Sequence, residues 1–258
     1  MKKEIIKKLK QIERSLKVKI LYAAESGSRA WGFASQDSDY DVRFIYVHKP
    51  DWYLSLDEKR DVIEFMDKEK DLDISGWDIR KTLVLFKKSN PPLYEWLESP
   101  IIYADQSPFK KNLAKIVSRY FSSKAAFYHY LSMLVNNHKD YVNHQQIKMK
   151  KYFYVLRPLF AYTWIEKNNT MPPVEFEKLL LTQKIEKGLF EEICILLKNK
   201  RAGLEQGLSP RKKVLDEYIL EKISHFEKLA KKIKPSASPG IEVLNQLFRK
   251  TLNEAWDK

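Results

Sequence analysis

Cysteine, glycine and long apolar runs are scarce in this chain, and each scarcity excludes a class of protein. The one cysteine, Cys194, permits no internal disulfide, which excludes a disulfide-stabilised secreted scaffold and predicts a cytoplasmic protein. The apolar helical pattern over residues 190–197 predicts a buried position for it. No segment approaches the roughly 18 apolar residues of a membrane span, so we expect no membrane association. With 7 glycines in 258 residues, the composition is that of a helix-rich globular protein.

Metal-site and targeting patterns are missing as well. The five histidines have no ligand spacing among themselves or with Cys194, so we expect no zinc site. The first ten residues intersperse lysines with Ile5, Ile6 and Leu9, which predicts an amphipathic helix. No uninterrupted apolar region follows these lysines, so the segment does not have the pattern of a signal peptide.

Positive charge is plentiful and unevenly distributed. Residues 1–105 hold 19 basic and 19 acidic side chains, whereas residues 106–258 hold 28 basic and 15 acidic ones. Strand and helix patterns alternate in the first part, and helical periodicity dominates the second. We therefore predict an α/β domain over 1–105 and a basic α-helical domain over 106–258, with a short linker at 234–240 before a final amphipathic helix. Charge alone leaves open whether the basic half binds nucleic acid or only solvates helix faces.

The turn between two apolar runs contains the most informative motif, Gly27-Ser28 followed by Asp39-Tyr40-Asp41. Apolar residues precede the glycine and follow Asp41, which predicts a strand, a turn and a second strand. Alternate residues of a strand point to the same face about 6.5–7 Å apart, so both acids can hold the same metal ions. A glycine and serine that open a helix let backbone N–H groups approach a phosphate. Paired acids beside such a turn predict a site for nucleotidyl transfer.

Two plainer interpretations of the motif compete with this one. A calcium loop starting at Asp37 requires glycine and glutamate where the chain has Val42 and His48, so it is excluded. A simple acidic surface turn is the stronger competitor, because acids and serines are common in turns. The apolar runs on both sides favour a strand-borne site over that turn.

A third carboxylate would complete a two-metal site, and it should come from a neighbouring strand. The segment Leu72-Asp73-Ile74 places an acid between apolar residues, and alternation puts Asp71 on the same face. We predict Asp73 as the third acid, with Asp71 as the alternative. Asp78 directly precedes a helical pattern, so we predict that it caps that helix.

Several strings of the chain resemble the DNA polymerase β superfamily of nucleotidyltransferases. They resemble more closely a bacterial and phage branch of predicted nucleotidyltransferases associated with RNA repair. The matching strings lie at residues 27–33, 38–44, 72–78, 90–97 and 150–158. The resemblance covers roughly residues 15–165 well, and beyond them only a helical pattern remains.

The resemblance implies an α+β fold of polymerase β type, with a mixed β-sheet followed by a helical bundle. It also implies transfer of a nucleoside monophosphate from an NTP to an acceptor hydroxyl, with Mg²⁺ or Mn²⁺ bound by Asp39, Asp41 and Asp73. In related enzymes the helical domain closes over the nucleotide with basic residues, and Lys150, Tyr154 and Arg157 lie at helical spacing on one stripe. The nucleotide-binding candidates are Gly27, Ser28, Arg29, Arg43, Lys150, Lys151, Tyr154 and Arg157.

The expected acceptor is an RNA end, in tRNA or a broken RNA, because of the resemblance and the basic second half. Nucleotidylation of a protein, as in antitoxin-type members, is one alternative, and an inactive RNA-binding module is another. The sequence leaves open the preferred NTP, the role of a template and the oligomeric state. Four aromatic residues are predicted to pack in the core rather than to stack on bases: Trp31, Phe33, Trp77 and Trp96.

Overall fold

The computed structural model describes residues 1–204, 208–233 and 239–257. In chain order its elements are α1 (Lys2–Leu16), β1 (Lys19–Glu25), α2 (Gly27–Ala30), β2 (Tyr40–Val47), α3 (Pro50–Tyr53), β3 (Val62–Asp67), β4 (Leu72–Asp78), α4 (Ile79–Lys87), α5 (Pro91–Leu97), β5 (Ile102–Ala104), α6 (Phe109–Ala114), α7 (Val117–Tyr120), α8 (Ser123–Val142), β6 (Gln146–Lys148), α9 (Lys150–Asn168), α10 (Phe176–Leu181), α11 (Lys187–Arg201), β7 (Leu208–Pro210), α12 (Lys213–Ala230) and α13 (Glu242–Trp256). Most of the linker predicted at 234–240 lies outside the described residues.

A five-stranded mixed sheet in the order β3-β4-β2-β1-β5 organises the first compact unit. Strands β2 and β4 are parallel, and the other neighbouring pairs are antiparallel. The sequence-based prediction of an α+β fold with a mixed sheet is therefore confirmed. The parallel pair has a consequence for function, because it brings the first residues of β2 and β4 to the same edge of the sheet.

Helix α1 covers this sheet with one apolar face. Ile5, Leu9 and Ile12 recur at the three- and four-residue spacing of a helix, and all three are buried in the core that includes Val42 and Ile74. The opposite face of α1 carries its lysines. The predicted amphipathic helix is present and extends six residues beyond the first ten, to Leu16.

The compact units do not follow the division predicted at residues 105 and 106. The first unit comprises residues 1–30, 39–121 and the described residues from 239 onward, and the second comprises residues 31–38 and the described residues from 122 to 233. Helix α13 joins the first unit because its apolar face is buried there. The Phe248 ring lies 5.0 Å from that of Tyr53, and Trp256 Nε1 donates to the His48 carbonyl at 2.8 Å. The helical pattern of α13 predicts a buried face, and only the fold shows which elements bury it.

The second unit is mainly helical, with one addition that helical periodicity does not predict. Strands β6 and β7 form a two-stranded antiparallel ribbon. Cys194 on α11 is half-buried rather than fully buried, which corrects the core position predicted for it. Within the described residues, no helix has the length and apolar character needed to cross a membrane.

Candidate active site

Two acids meet at the edge of the sheet where the parallel strands β2 and β4 begin. Their register places Asp41 directly opposite Asp73. Adjacent strands lie about 4.8 Å apart, so these side chains are neighbours on one face. Leu72 and Ile74 are buried on the other face of β4, which is the alternation that the sequence predicts. Two carboxylates that are 32 residues apart in the chain thus share one position in the fold.

Arg43 binds both of these carboxylates. Its Nη2 donates to Asp73 Oδ2 at 2.7 Å and to Asp41 Oδ1 at 3.1 Å. Its Nη1 donates to the backbone carbonyls of Val42 at 3.1 Å and Asp73 at 3.3 Å. Alternation along β2 predicts that Arg43 shares a face with Asp41, and the structure shows the two in contact. The guanidinium thereby places one positive charge between two negative ones.

Gly27 brings the turn before α2 against Asp41. A Cβ atom at residue 27 would lie 2.0 Å from Asp41 Oδ2, and the glycine has φ +59°, which L side chains rarely adopt. The Ser26 N–H donates to the Asp41 carbonyl at 2.7 Å and ties the same turn to β2. Both the conformation and the space therefore require glycine here. Ser28 follows in the first turn of α2 and is half-buried.

Asp39 lies just before β2 and is exposed. Arg29 Nε donates to the Asp39 carbonyl at 3.1 Å, and the Arg29 guanidinium lies 3.7 Å from the centre of the Tyr40 ring. Arg29 thus packs along the segment that leads from Asp39 into β2. The structure brings Gly27, Arg29 and the three predicted acids into one unit.

The electrostatics of Asp41 reflect a crowded site. Burial raises the pKa of Asp41 above its usual value, and the neighbouring Asp73 and Asp39 raise it further. Arg43 and Arg29 act in the opposite direction. Two carboxylates are therefore close enough to repel Asp41, and two arginines compensate part of that repulsion.

The other two acids near β4 occupy different surroundings. Asp71 lies just before β4 and has φ 48°, which is not a strand conformation. The alternation of side chains along β4 therefore does not place Asp71 on the same face as Asp73. It is exposed, and its carbonyl accepts the Tyr40 N–H at 2.7 Å. Asp78, at the other end of β4, caps α4 by accepting the Arg80 N–H at 2.7 Å. The predicted capping role of Asp78 agrees with this geometry.

Glu25 is a site residue that the sequence analysis missed. It is fully buried at the end of β1, where its Oε1 accepts the Asp41 N–H at 2.7 Å and its Oε2 accepts the Tyr103 hydroxyl. Burial raises the pKa of Glu25 above its usual value. Through the Asp41 backbone, Glu25 fixes where β2 begins. The signal in the sequence is an acid at the end of an apolar strand, two residues before Gly27.

The donor chemistry of this edge fits a divalent cation. Aspartate oxygens are the ligands that Mg²⁺ and Mn²⁺ prefer, and the mutual repulsion of the acids favours a cation among them. Within the described residues, however, no three acidic, histidine or cysteine side chains already converge on one point that would hold an ion. Arg43 takes up one oxygen of Asp41 and one of Asp73. The residue types therefore fit the ion, and Arg43 competes with it for one oxygen of each acid.

The family comparison agrees with this geometry. The model of the RlaP family, described as the RNA repair pathway DNA polymerase beta family, matches residues 1–250. This chain belongs to that family. The resemblance seen in the sequence strings is thereby confirmed, and the assignment supports a nucleotidyltransferase of polymerase beta type.

Two individual proteins resemble this member of the RlaP family. A protein of Bacillus subtilis (strain 168) named "Uncharacterized protein YcgL" is 49% identical over 256 residues, which cover 99% of this chain and 98% of that protein. A crystal structure of a nucleotidyltransferase-like protein from Exiguobacterium sibiricum 255-15 matches 98% of this chain and 81% of its own, at 12% identity and a TM-score of 0.31. At that TM-score the structural likeness carries no argument.

The remaining nucleotide-binding candidates lie on α9 in the second unit. Arg157 is 2% exposed, and its guanidinium lies 4.3 Å from the centre of the Trp31 ring, whereas Tyr154 is 38% exposed. Lys150 is half-buried, and Lys151 forms an ion pair with Asp140. Arg157 and Tyr154, which were predicted to share one stripe of the helix, therefore differ in exposure: Arg157 is buried and Tyr154 is exposed.

The four aromatic residues that were left out of the site pack against other side chains. Phe33 and Trp96 are buried. The half-buried Trp31 and Trp77 contact Phe33 and Trp96, with ring centres 5.7 and 3.8 Å apart. Their predicted packing role agrees with these contacts.

Proposed function

We propose that this protein transfers a nucleoside monophosphate from an NTP to the hydroxyl of an RNA end and releases pyrophosphate. The observation that carries the proposal is the register of β2 and β4, which sets Asp41 opposite Asp73 beside the Gly27 turn. Family membership supports the reaction class. The RNA acceptor follows from the family description and from the surplus of basic residues.

Each residue of the site has a role in the proposed reaction. Asp39, Asp41 and Asp73 would hold Mg²⁺ or Mn²⁺, which when bound neutralises charge on the phosphates and lowers the pKa of the attacking hydroxyl. The turn at Gly27 and Ser28 would orient the β- and γ-phosphates through N–H groups and a hydroxyl.

The covalent step needs no reactant other than the NTP and the acceptor hydroxyl. The acceptor oxygen forms a bond to the α-phosphorus, the bond from the α-phosphorus to the pyrophosphate oxygen breaks, and pyrophosphate leaves with the electron pair. Asp73 would accept the hydroxyl proton, directly or through a water molecule. The protein contributes mainly positioning and charge compensation, as is usual for transfer at phosphorus.

Two arginines would serve the site in different ways. Arg43 contacts both catalytic carboxylates, so in our proposal it balances their charge and holds them together before the ions bind. Arg29 lies along the segment from Asp39 to Tyr40 and would contact the triphosphate. From the second unit, Lys150, Lys151, Tyr154 and Arg157 stay proposed nucleotide contacts, with Arg157 the weakest because it is buried.

The test uses each NTP labelled at the α- or the γ-phosphorus, together with Mg²⁺ and either cellular RNA or lysate proteins. We expect α-label, and no γ-label, in material that ribonuclease destroys and protease spares. Label in protease-sensitive material would replace this proposal with protein nucleotidylation. No label from any NTP with either acceptor would leave an RNA-binding module without activity.

A further inference from the structure

A row of basic side chains runs along the solvent face of α1 and continues onto the ends of β1 and β2. We name it the basic track and define it by six exposed residues: Lys3, Lys7, Lys10, Arg14, Lys19 and Lys49. The four on α1 follow each other at spacings of four, three and four, so they form one stripe along the helix. The track lies wholly in the first unit.

Two adjoining grooves follow the track. Lys3, Lys7, Lys10 and Arg14 line a groove of about 700 Å³, and Lys10, Arg14, Lys19 and Lys49 line a second one of about 460 Å³. Lys10 and Arg14 line both grooves, so the two lie side by side along the track. Trp256 lines the second groove, with the Lys19 and Lys49 ammonium groups 5.6 and 5.7 Å from the centre of its indole.

The charge of the track is not compensated locally. None of its six cations forms an ion pair with any residue that the structure describes. Glu13 is the acid among the lining residues, and its Oε1 already accepts the Ile20 N–H at 2.7 Å. Like charges three or four residues apart destabilise a helix. The sequence therefore carries an energetic cost here that a face of mixed charge would avoid.

An elongated polyanion fits this surface better than a membrane does. The apolar residues of α1 that would enter a bilayer, Ile5, Leu9 and Ile12, are at most 5% exposed because they form the core beneath. These apolar side chains are thus not accessible to a lipid surface. Lys3 and Arg14 are 11 residues apart, which is roughly 16 Å along a helix and matches about four or five phosphates of one strand.

We propose that the basic track binds the phosphate backbone of RNA, and this inference rests on the proposed RNA acceptor. The position of the track suits the acceptor strand rather than its reacting end. Lys19 begins β1 and Glu25 ends it, so the Lys19 end of the track and the acidic edge are separated by the length of that strand, roughly 20 Å. RNA with its end at the acids would have to extend several nucleotides to reach Lys19.

The experiment compares two triple variants that lose the same charge. Lys3→Gln/Lys7→Gln/Lys10→Gln removes half of the track, and Lys88→Gln/Lys111→Gln/Lys115→Gln removes three exposed lysines elsewhere in the first unit. Binding of a fluorescein-labelled single-stranded RNA is measured by anisotropy across a salt series. Each lost phosphate contact changes the log–log slope by about 0.7, so the track variant should lose about 2 units of slope while the control keeps the wild-type value. Arg14→Gln/Lys49→Gln should lose about 1.4 units by the same argument.

The outcomes separate this proposal from the proposed function. Equal slopes in the track variant and the control would overturn the proposal that the track binds RNA. Loss of binding to phosphatidylserine vesicles with unchanged RNA binding would overturn it as well. If the wild type transfers no nucleotide but binds RNA through the track, the surface stands and the proposed transfer falls. If transfer to RNA proceeds and the track variant binds RNA normally, transfer stands and the surface falls.

Discussion

The two compact units carry their basic residues in different ways. In the second unit many cations are paired or buried: Arg201 with Glu177, Arg211 with Asp216, Lys212 with Glu192, and Arg157 and Lys200 in the interior. In the first unit basic side chains also outnumber acidic ones, by 26 to 21, and six of the cations stand together without a counter-ion among the described residues. The net charge of a unit therefore does not show where a polyanion would bind, because that depends on which cations are exposed and unpaired.

The same comparison applies to the chemistry. The first unit contains three acids, two arginines and a glycine turn at one sheet edge. The second unit offers α9, where Arg157 is buried against Trp31 and Lys151 is paired. We infer that the first unit holds both the reacting groups and the basic track, and that the second unit contributes more weakly to transfer and to RNA binding.

The largest expected effect is the loss of activity in Asp41→Asn, and it tests whether the first unit holds the reacting groups. Asp41→Asn should lower nucleotidyl transfer by several orders of magnitude, because a carboxylate ligand that supplies several kcal/mol of charge stabilisation is lost. Lys151→Gln in the second unit should reduce the rate by no more than about tenfold, since its charge is already paired with Asp140. Single-turnover incorporation of α-labelled NTP into RNA measures both. A larger loss in Lys151→Gln than in Asp41→Asn would move the centre of the chemistry to the second unit.

Arg43 offers the next test, because it competes with a divalent ion for the same carboxylates. Arg43→Gln should bind Mn²⁺ about tenfold more tightly, the effect of relieving about 1.4 kcal/mol of competition. Without metal the variant should be less stable by about 1–2 kcal/mol, since two partly exposed charged contacts are lost. Calorimetric titration with Mn²⁺ and urea unfolding in EDTA measure the two effects.

Arg43→Lys is the matched control for that test. It keeps the positive charge and should keep an affinity for Mn²⁺ near that of the wild type. Weaker Mn²⁺ binding by Arg43→Gln would show that the guanidinium does not share the space of the ion, and would favour the phosphate-binding role predicted from the sequence.

A smaller effect measures how much RNA contact the second unit makes. If the basic second half of the sequence bound RNA, residues 106–258 would carry nearly all of the salt dependence, whereas the basic track places much of it on α1. Lys150→Gln/Lys151→Gln should change the slope of log affinity against log salt by less than 1.4 units, the value for two full contacts. The same anisotropy series used for the track variants provides the comparison. A change of 1.4 units or more would favour RNA binding by the basic second half.

Asp78 has no expected effect on nucleotidyl transfer, and its test is one of stability. Burial raises the pKa of Asp78 to about 6, against about 3.9 in an unfolded chain. The folded state therefore binds more protons between about pH 4 and pH 6, and stability falls as pH rises through that window, by at most about 3 kcal/mol. Asp78→Asn can still cap α4 and should lack this part of the slope. Urea unfolding across the window would contradict the account if both proteins lost stability equally.

The sequence predicts the motif-bearing parts of this molecule well, because their causes are local. Alternation on β4 identifies Asp73 as half-exposed between buried neighbours, and the position of Asp78 before an apolar helix predicts a cap. What the sequence cannot give is the pairing of distant segments. The contact of Arg43 with Asp73 depends on the register of strands that lie about thirty residues apart.

The remaining misses have the same origin. Glu25 acts through the backbone of Asp41, which no spacing reveals. Helix α13 joins the first unit through contacts such as that of Trp256 with His48, 208 residues earlier. The charge split between the halves of the sequence does not show which cations are paired, since ion pairing is decided in three dimensions.

The central claim is that Asp73, opposite Asp41, belongs to a centre for nucleotidyl transfer. The most direct measurement is transfer of α-label from NTP to RNA by the wild type, Asp73→Asn and Asp78→Asn, two neutralisations at opposite ends of β4. The account predicts labelled RNA from the wild type and from Asp78→Asn, and none from Asp73→Asn, which should still bind NTP. Labelling by Asp73→Asn at the wild-type rate would contradict it, as would the absence of label from the wild type with every NTP.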